Sequence, residues 1–257
     1  MIEVRGVVKS FGAVQALAGI DFTVHRGETF GLLGPNGAGK TTTMAMLAGL
    51  LRPDRGEVWI DGQRDPTSPS VRRCLGMAPQ ELAIYEELSA EENLRLFGRL
   101  HGWCGSALGA RVDEGLAFAG LEARRRDRAG TFSGGMKRRL NLACALVHDP
   151  AVLLCDEPTV GVDPQSRQHI LDGIQRLRHR GLTLVYTTHH LEEAAQLCDR
   201  VAIVDGGRLL ALDTVAELVR RHGDASTEGA GNGGAGSGDA GLHGVFLRLT
   251  GRELRDA

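Results

Sequence analysis

One eight-residue stretch has the residue types and the spacing that could bind phosphate. Residues 34–41 read Gly-Pro-Asn-Gly-Ala-Gly-Lys-Thr, which fits the pattern G-x-x-x-x-G-K-[ST]. Its three glycines let the backbone turn tightly with the N–H groups pointing inward. Lys40 adds a positive charge for the β- and γ-phosphates of a nucleotide, and the Thr41 hydroxyl can hold the accompanying Mg²⁺. The stretch therefore predicts a loop that binds a nucleoside triphosphate.

The segments on either side of this loop support the prediction. Residues 29–33 are a short apolar run that can form a buried strand leading into the loop. Residues 42–48 have the composition of a helix, whose positive N-terminal end would face the phosphates. The motif predicts nucleotide binding but does not by itself specify which kind of nucleotide hydrolase the protein is.

Two carboxylates follow another apolar run further along the chain. Residues 151–155 predict a buried strand that ends at Asp156 and Glu157. Buried strands rarely end in two acids without a reason. In a chain with a phosphate-binding loop, Asp156 suits Mg²⁺ coordination, and Glu157 suits polarising a water for attack on the γ-phosphate. The alternative is a pair of acids that cap the next helix.

Two further polar residues come at the ends of predicted strands. Gln80 follows the run at residues 75–79, and its amide could contact Mg²⁺ or the attacking water, although a lone glutamine is ordinarily a surface residue. His189 follows the β-branched strand at residues 182–188, at the strand end where ligands bind in parallel sheets. Because His190 is adjacent and only one of the two can point into a site, we select His189.

A helix start and an aromatic residue are weaker candidates. Ser133 is a good N-cap, and Gly134 and Gly135 bring the backbone close to whatever lies ahead of the helix, so this start could bind an anion. Phe11 could stack on a nucleotide base, or it could be an ordinary core phenylalanine.

Composition limits the class of protein. The chain has 257 residues, 42% of them hydrophobic, which suffices for one large α/β domain or for a core with a smaller subdomain. A net charge of −2 gives no general attraction to nucleic acid. The sequence has no run of eighteen apolar residues and no signal-peptide pattern, so we expect a cytoplasmic protein without a membrane span. Five scattered cysteines lack metal-ligand spacing and are expected to be reduced thiols.

The pattern along the chain indicates an inserted helical part. Residues 82–148 are helical in pattern, with a capping box at Ser89 and a second helix from Arg111 to Ala119, and they lack strand signals. We expect a helical subdomain there, inserted into the α/β core. The last clear helix is expected at residues 214–222. Residues 223–244 are rich in glycine and predict a flexible linker, and residues 245–257 predict a short segment that docks back.

Taken in order, these motifs resemble the nucleotide-binding cassette of ABC transporters over residues 1–222. The resemblance implies a P-loop nucleoside triphosphatase fold of the α/β class with an antiparallel β subdomain and an inserted helical subdomain. It implies an ATP site with a stacking aromatic, a phosphate loop and a signature motif formed by Phe11, Gly34, Pro35, Asn36, Gly37, Ala38, Gly39, Lys40, Thr41, Thr42, Ser133, Gly134 and Gly135. It implies Mg²⁺ ligands at Thr41, Gln80 and Asp156, catalytic roles for Glu157 and His189, and a D-loop aspartate at Asp163.

Within that family, the sequence is similar to the ATPases of ABC-2 type exporters, especially the daunorubicin-resistance-like ATPases. The residues that carry this likeness are Phe-Ser-Gly-Gly-Met-Lys-Arg-Arg at 132–139 and the segment at 245–255. Two positions depart from the family pattern: Met136 stands where the signature usually has glutamine, and Phe11 stands where the stacking residue is usually tyrosine. Neither change removes a charge that the chemistry needs.

The resemblance also implies partners. Two cassettes, most simply a homodimer, would bury ATP between them, and closure on ATP would drive a separate ABC-2 type permease that exports a drug, an antibiotic, a polysaccharide or another small molecule. The protein would then lie on the cytoplasmic face of the cell membrane, held there by the permease. The alternative is a soluble ABC ATPase that acts on a protein scaffold. A translation or DNA-repair ABC protein usually has two fused cassettes or a long coiled-coil insertion, and this chain has neither.

Overall fold

The computed structural model describes residues 1–63, 65–222 and 237–251, with side chains from residue 241 onward in the last range. The chain divides into two compact units. Unit 1 comprises residues 1–67 and the chain from Val185 onward, and unit 2 comprises Ser68–Leu184. Both units combine helices with strands, so the predicted α/β class is confirmed.

The strands, in chain order, are β1 (Ile2–Phe11), β2 (Val14–Val24), β3 (Thr29–Leu33), β4 (Arg55–Ile60), β5 (Leu75–Ala78), β6 (Val152–Asp156), β7 (Thr183–Thr188), β8 (Arg200–Asp205) and β9 (Arg208–Asp213). The α-helices of the described residues are α1 (Lys40–Leu47), α2 (Pro69–Arg73), α3 (Ala90–Leu100), α4 (Gly105–Ala119), α5 (Gly134–Leu146), α6 (Pro164–His179), α7 (Leu191–Leu197), α8 (Val215–His222) and α9 (Ser237–Thr250). Short 3₁₀ turns lie at Glu122–Arg124 and Ala129–Thr131.

Unit 1 contains the predicted antiparallel β subdomain. Strand β1 lies between β2 and β4 and is antiparallel to both, with Ile2 opposite Val24 on one side and Ile60 on the other. Buried and exposed residues alternate along the second half of β2, as expected of a sheet with one face on the core. Phe22 of β2 stacks on Phe30 of β3 with 5.1 Å between the ring centroids, so this sheet packs against the strand that precedes the phosphate loop.

The strand that leads into the phosphate loop is buried along its whole length. All five residues of β3 are buried, which is typical of a parallel strand covered on both faces. Strand β3 runs parallel to β8, with Leu33 opposite Ile203, and β8 is antiparallel to β9. The rigid end of β3 therefore fixes where the loop at residues 34–39 begins.

Unit 2 combines a parallel strand pair with a helical core. Strands β5 and β6 are parallel, with Ala78 opposite Cys155. Helices α3, α4 and α5 pack on one another around a cluster of buried apolar side chains that includes Leu94, Leu108, Val112, Leu116, Leu140 and Val147. The predicted capping box is confirmed, because Ser89 accepts from the Glu92 amide and the Glu92 carboxylate accepts from the Ser89 amide. Helix α4 begins at Gly105 rather than at Arg111, since its apolar stripe already starts at Leu108.

The C-terminal helix corrects the prediction of a flexible linker for residues 237–244. Helix α9 includes residues 237–244, so this part of the expected flexible linker is helical, and α8 is not the last helix. Leu242, Val245 and Phe246 are spaced as one helical face and are fully buried, and α9 packs on α7 and α8. Burial of this face outweighs the low helix propensity of the glycines. Residues 223–236 and 252–257 lie outside the described part of the chain.

The remaining expectations concern membrane spans and cysteines. Within the described ranges, no helix has the length and apolarity needed to cross a membrane. All five cysteines lie outside disulfides: Cys144, Cys155 and Cys198 are buried, Cys74 is half-buried and Cys104 is exposed. Burial raises the pKa of the Cys144 and Cys155 thiols, which are therefore neutral core residues.

Candidate functional site

The predicted phosphate loop lies in unit 1, and it curls around its own lysine. Lys40 is the first residue of α1 and is only 4% exposed. Its ammonium donates to the Gly34 carbonyl at 2.7 Å and to the Pro35 carbonyl at 3.2 Å. The loop therefore holds a positive charge at its centre, next to the N-terminal end of a helix. This is the arrangement that favours phosphate binding.

Glycine is required at the end of this loop. Gly39 is the N-cap of α1 and has a φ of 103°, a conformation that other residues rarely adopt. A Cβ at this position would lie 2.6 Å from Leu17 Cδ2 and 2.7 Å from the Ala16 carbonyl oxygen. The loop is also tied to the β8–β9 turn, because the Gly207 amide donates to the Ala38 carbonyl at 3.2 Å. The loop shape is thus built into the surrounding strands of unit 1.

Two more of the predicted residues lie in unit 1. Phe11 ends β1 and is 51% exposed, with the Lys9 ammonium 5.7 Å from its ring centroid, so the alternative of a core phenylalanine is wrong. An exposed aromatic face next to a cation can stack on a base. His189 follows β7 directly and is half-buried, with its ring centroid 4.2 Å from that of His190.

The carboxylate pair lies in unit 2 at the end of β6. Asp156 is the last residue of the strand and is 1% exposed, and Glu157 follows and is 6% exposed. Glu157 has a φ of 46°, in the left-handed region that residues with a side chain seldom occupy. Strain of this kind persists only where the surroundings enforce it, and it is concentrated at functional sites. Glu157 is not the cap of a nearby helix, since the next one, α6, begins at Pro164 and is capped by Asp163.

The helix start at Ser133 has the predicted form. The Ser133 hydroxyl caps α5 by accepting from the Met136 amide at 3.3 Å. Ser133 and Gly134 are exposed, so the free end of the helix is open to a ligand. Gly135 is buried against α6, and a Cβ there would lie 2.0 Å from Ser166 Oγ. Met136 packs on the helical core of unit 2, which explains why an apolar side chain is accepted at that position.

Helix α6 supports this end of α5. Asp163 caps α6 by accepting from the Ser166 amide at 2.9 Å, and hydrogen bonds from Ser166 hold the pKa of Asp163 below its usual range. Asp163 Oδ2 would lie 2.9 Å from a Cβ at Gly135. The N-terminal ends of the two helices are therefore in direct contact.

Gln80 belongs to an irregular segment, residues 79–88, that side chains of α3 and α5 hold in place. The buried Asn93 amide accepts from the Tyr85 amide at 2.8 Å and donates to the Tyr85 carbonyl at 2.9 Å. The buried Asn141 accepts from the Ala83 amide at 3.0 Å. Arg138 of α5 donates to the Gln80 carbonyl at 2.6 Å, while the Gln80 side chain is exposed.

Sequence reasoning missed Arg138, Asn93 and Asn141. The signal available for the two asparagines was a polar residue on the apolar face of a helix, next to Leu94 and Leu142 respectively. For Arg138 there was no local signal, because its partner Gln80 is 58 positions earlier in the chain.

The candidate residues are thus divided between the two units. Unit 1 holds Phe11, the loop at 34–42 and His189, and unit 2 holds Gln80, Ser133–Gly135, Asp156 and Glu157. Among the residues that the structure describes, no three or more His, Cys, Asp and Glu side chains form a group that could hold a metal ion.

Comparison with known proteins identifies the family. The profile of the ABC transporter family matches residues 17–160. The chain is 43% identical over 224 residues to the linearmycin resistance ATP-binding protein LnrL of Bacillus subtilis, covering 87% of this chain and 72% of that protein. It is 44% identical over 230 residues to the doxorubicin resistance ATP-binding protein DrrA of Mycobacterium tuberculosis, covering 88% and 70%.

Solved structures agree with the sequence comparison. An ATP-binding subunit of an ABC transporter superposes with a TM-score of 0.83 at 31% identity, covering 97% of this chain and 99% of that one. A dimeric ATP-binding cassette in a post-hydrolysis state with ADP and Pi superposes with a TM-score of 0.76 at 26% identity, covering 83% and 98%. The relatives do not favour an ATPase that acts on a soluble scaffold. The chain therefore belongs to the ABC transporter family, as an ATP-binding and ATP-hydrolysing subunit of the exporter type.

Proposed function

We propose that this protein hydrolyses MgATP as a homodimer and so drives a separate ABC-2 type permease. The observation that carries the proposal is the carboxylate pair at the end of β6, where Glu157 is buried and held at a strained φ of 46° directly after Asp156. A buried, strained glutamate is costly to keep, and a role in orienting the attacking water explains its presence.

The phosphate loop would supply binding. The backbone N–H groups of the loop glycines, the Lys40 ammonium and the N-terminal end of α1 each favour negative charge, and Thr42 lies in the first turn of the same helix. Phe11 would stack on the adenine ring, since its ring is exposed. These groups bind the nucleotide as a whole and hold it in place for the chemistry at the γ-phosphate.

The candidate metal ligands would suit a Mg²⁺ ion by the chemistry of their donor atoms. The candidate ligands Thr41, Gln80 and Asp156 offer hydroxyl, amide and carboxylate oxygens, which are the donors that Mg²⁺ prefers. Mg²⁺ usually uses few protein ligands and completes its shell with phosphate oxygens and water, in keeping with this small donor set. When bound, the ion would neutralise phosphate charge.

Glu157 and His189 would act on the reacting groups. The Glu157 carboxylate can accept a hydrogen bond from the attacking water and orient it toward the γ-phosphate. The His189 imidazole can donate to a γ-phosphate oxygen and so register whether the phosphate is present. Loss of that phosphate would release the histidine.

A second copy of the chain would complete the site. Ser133 and Gly134 are exposed at the start of α5, and this helix start, with Gly135 behind it, would suit the phosphates of ATP bound on the partner copy. A dimeric solved relative with ADP and Pi supports this arrangement by analogy. ATP would then hold two copies together, and hydrolysis would separate them.

The partner and the cargo follow from the relatives. Those relatives are named for resistance to linearmycin, doxorubicin and daunorubicin and for the export of Nod factors. We infer export of a drug, an antibiotic, a polysaccharide or another small molecule through an ABC-2 type permease, with this chain peripheral on the cytoplasmic face of the membrane. Nucleic acid is not an expected partner, since the net charge is −2.

The test is the Glu157→Gln variant of the full chain, measured with and without ATP. We expect hydrolysis to fall about 10²- to 10⁴-fold while ATP binding is retained, since the amide cannot act as a base. Copurification from membranes should recover a permease, and the variant with ATP should elute at the size of a dimer. Unchanged turnover would refute the assignment of Glu157, and a soluble partner in place of a permease would refute the transport role.

A further inference from the structure

The hydroxyl of Thr188 makes two hydrogen bonds whose directions are unambiguous. It donates to Glu193 Oε2 at 2.8 Å, and it accepts from the His190 amide at 2.9 Å. A carboxylate can only accept and a backbone amide can only donate, so the proton and a lone pair of the hydroxyl are both committed. This fixes the Thr188 side chain, the last of β7, in one orientation.

The Glu193 carboxylate anchors the Thr188 hydroxyl to helix α7. Glu193 lies in the first turn of α7 and is buried at 1% exposure. The same oxygen, Oε2, also accepts from the Tyr186 hydroxyl at 2.7 Å. Burying a carboxylate is costly unless it is well hydrogen-bonded, so these two hydroxyls are part of what makes Glu193 tolerable there. Strand β7 and helix α7 are therefore joined through one carboxylate oxygen.

Only two residues, His189 and His190, connect the strand to the helix. The Thr188 hydroxyl contacts the helix through the Glu193 carboxylate, and it contacts the connection through the His190 amide. The hydrogen bond from the His190 amide to the Thr188 hydroxyl thus spans His189. A connection this short and this restrained has little freedom to reorient.

We propose that Thr188, held by Glu193, is a positioning residue that fixes the His189 imidazole for the γ-phosphate. The inference rests on the role proposed above for His189 in ATP hydrolysis. Thr188 acts only through the backbone of the connection and not by touching the nucleotide. Its loss should therefore slow turnover without weakening ATP binding.

The chain contains a matched control. Tyr186 and Thr188 both donate a hydroxyl proton to Glu193 Oε2, but only the Thr188 hydroxyl also accepts from the His190 amide. Tyr186→Phe and Thr188→Val each remove one hydroxyl from the same carboxylate oxygen. A general effect on the anchor would appear in both variants, whereas a positioning effect on His189 would appear in Thr188→Val alone.

The experiment measures kcat and KM for MgATP in the full chain and in the variants Tyr186→Phe, Thr188→Val, Thr188→Ser and His189→Ala. We expect Thr188→Val to lower kcat about tenfold or more with KM unchanged, because small misplacements of a catalytic group are costly. Thr188→Ser should restore kcat to within about threefold of the parent, and Tyr186→Phe should stay within about twofold. If Thr188→Val shows no thermal unfolding transition, Thr188→Ala is measured in its place, because the smaller alanine side chain cannot overpack the site.

Three results would overturn the inference. Parental turnover in Thr188→Val while His189→Ala is inactive would refute the positioning role and leave the proposed role of His189 intact. An equal loss in Tyr186→Phe and Thr188→Val would assign the effect to the Glu193 anchor as a whole. Parental turnover in His189→Ala would refute the assignment of His189 itself, and the role of Thr188 with it.

Discussion

The Arg138 guanidinium donates a 2.6 Å hydrogen bond to the carbonyl of Gln80. This contact joins helix α5, which begins at the exposed Ser133, to the irregular segment that carries Gln80. Arg138 also lies 3.3 Å from the Pro79 carbonyl oxygen and 3.5 Å from that of Val160, three residues after Glu157. Burial lowers the pKa of Arg138, in keeping with a guanidinium set among backbone carbonyls. One side chain thus connects three segments that hold candidate site residues of unit 2.

Removing this guanidinium should impair hydrolysis more than ATP binding. We expect Arg138→Ala to lower kcat severalfold, because the Gln80 segment and the segment after Glu157 lose a shared donor and buried carbonyls lose a partner. Steady-state kinetics with varied MgATP measure this. Lys137→Gln is the comparison on the same helix, because the half-buried Lys137 ammonium pairs with the Glu86 carboxylate at 2.6 Å, near the other end of the same segment, rather than with the Gln80 carbonyl. Equal losses in the two variants would contradict a specific role for Arg138.

The two glycines at the start of α5 should respond differently to substitution by alanine. A Cβ at Gly135 would lie 2.0 Å from Ser166 Oγ and 2.4 Å from Ser166 Cβ, whereas the nearest atom to a Cβ at Gly134 is 4.0 Å away. We expect Gly135→Ala to destabilise the fold by about 1–3 kcal/mol through overpacking. Gly134→Ala should be neutral, or stabilising by up to about 1 kcal/mol, because alanine is the better helix former.

Denaturant unfolding of both variants at one pH measures this difference. Each variant is the control for the other, because the same substitution is made at two adjacent positions of one helix turn. Equal destabilisation of the two variants would mean that the close packing of Gly135 on α6 is not what excludes a side chain.

The parts of the site that could be predicted from the sequence are those built by local chemistry. The phosphate loop, the strand ending at Asp156 and the Ser133 cap depend on residues within a few positions of one another, so their pattern is visible in the sequence. The role of Arg138 was not predictable, because its acceptors come from segments far away in the chain. The strained backbone of Glu157 was not predictable either, since it depends on how the end of β6 is packed.

Helix α9 was missed for a different physical reason. Its first half is rich in glycine, which argues against a helix when propensity alone is considered. The helix is formed because Leu242, Val245 and Phe246 bury one face completely, and this burial depends on neighbours that a local pattern does not contain.

The buried histidine of unit 2 should make stability depend on pH. Burial lowers the pKa of His148 from its ordinary value of 6.5 to about 4, and the stacked His101 ring, 3.6 Å away between centroids, adds to this effect. Because the folded pKa is the lower one, the unfolded chain binds the proton first. The contribution of the neutral His148 to the free energy of unfolding is thus fully present above pH 6.5. It is lost as the pH falls toward 4, and the loss is about 3 kcal/mol at most.

Substitution of His148 should remove this part of the pH dependence. His148→Gln has no titrating group at this position, and its amide can still donate to the Leu75 carbonyl, which the His148 ring contacts at 2.9 Å. We expect the difference in unfolding free energy between pH 7 and pH 4.5 to shrink by about 2–3 kcal/mol. His179→Gln, at an exposed histidine, is the control and should keep the parental pH dependence. A parental slope in His148→Gln would contradict the lowered pKa.

The packing of α9 makes the C-terminal segment part of the stability of unit 1. Phe246 is fully buried, and α9 packs on α7, the helix that follows His189. We expect Phe246→Ala to lower the free energy of unfolding by about 3–5 kcal/mol, because it removes a large buried side chain and leaves a cavity. His243→Ala, at an exposed position of the same helix, should change it by less than about 0.5 kcal/mol. A parental melting temperature in Phe246→Ala would mean that α9 is not docked in solution and that residues 237–244 act as the linker that their composition predicts.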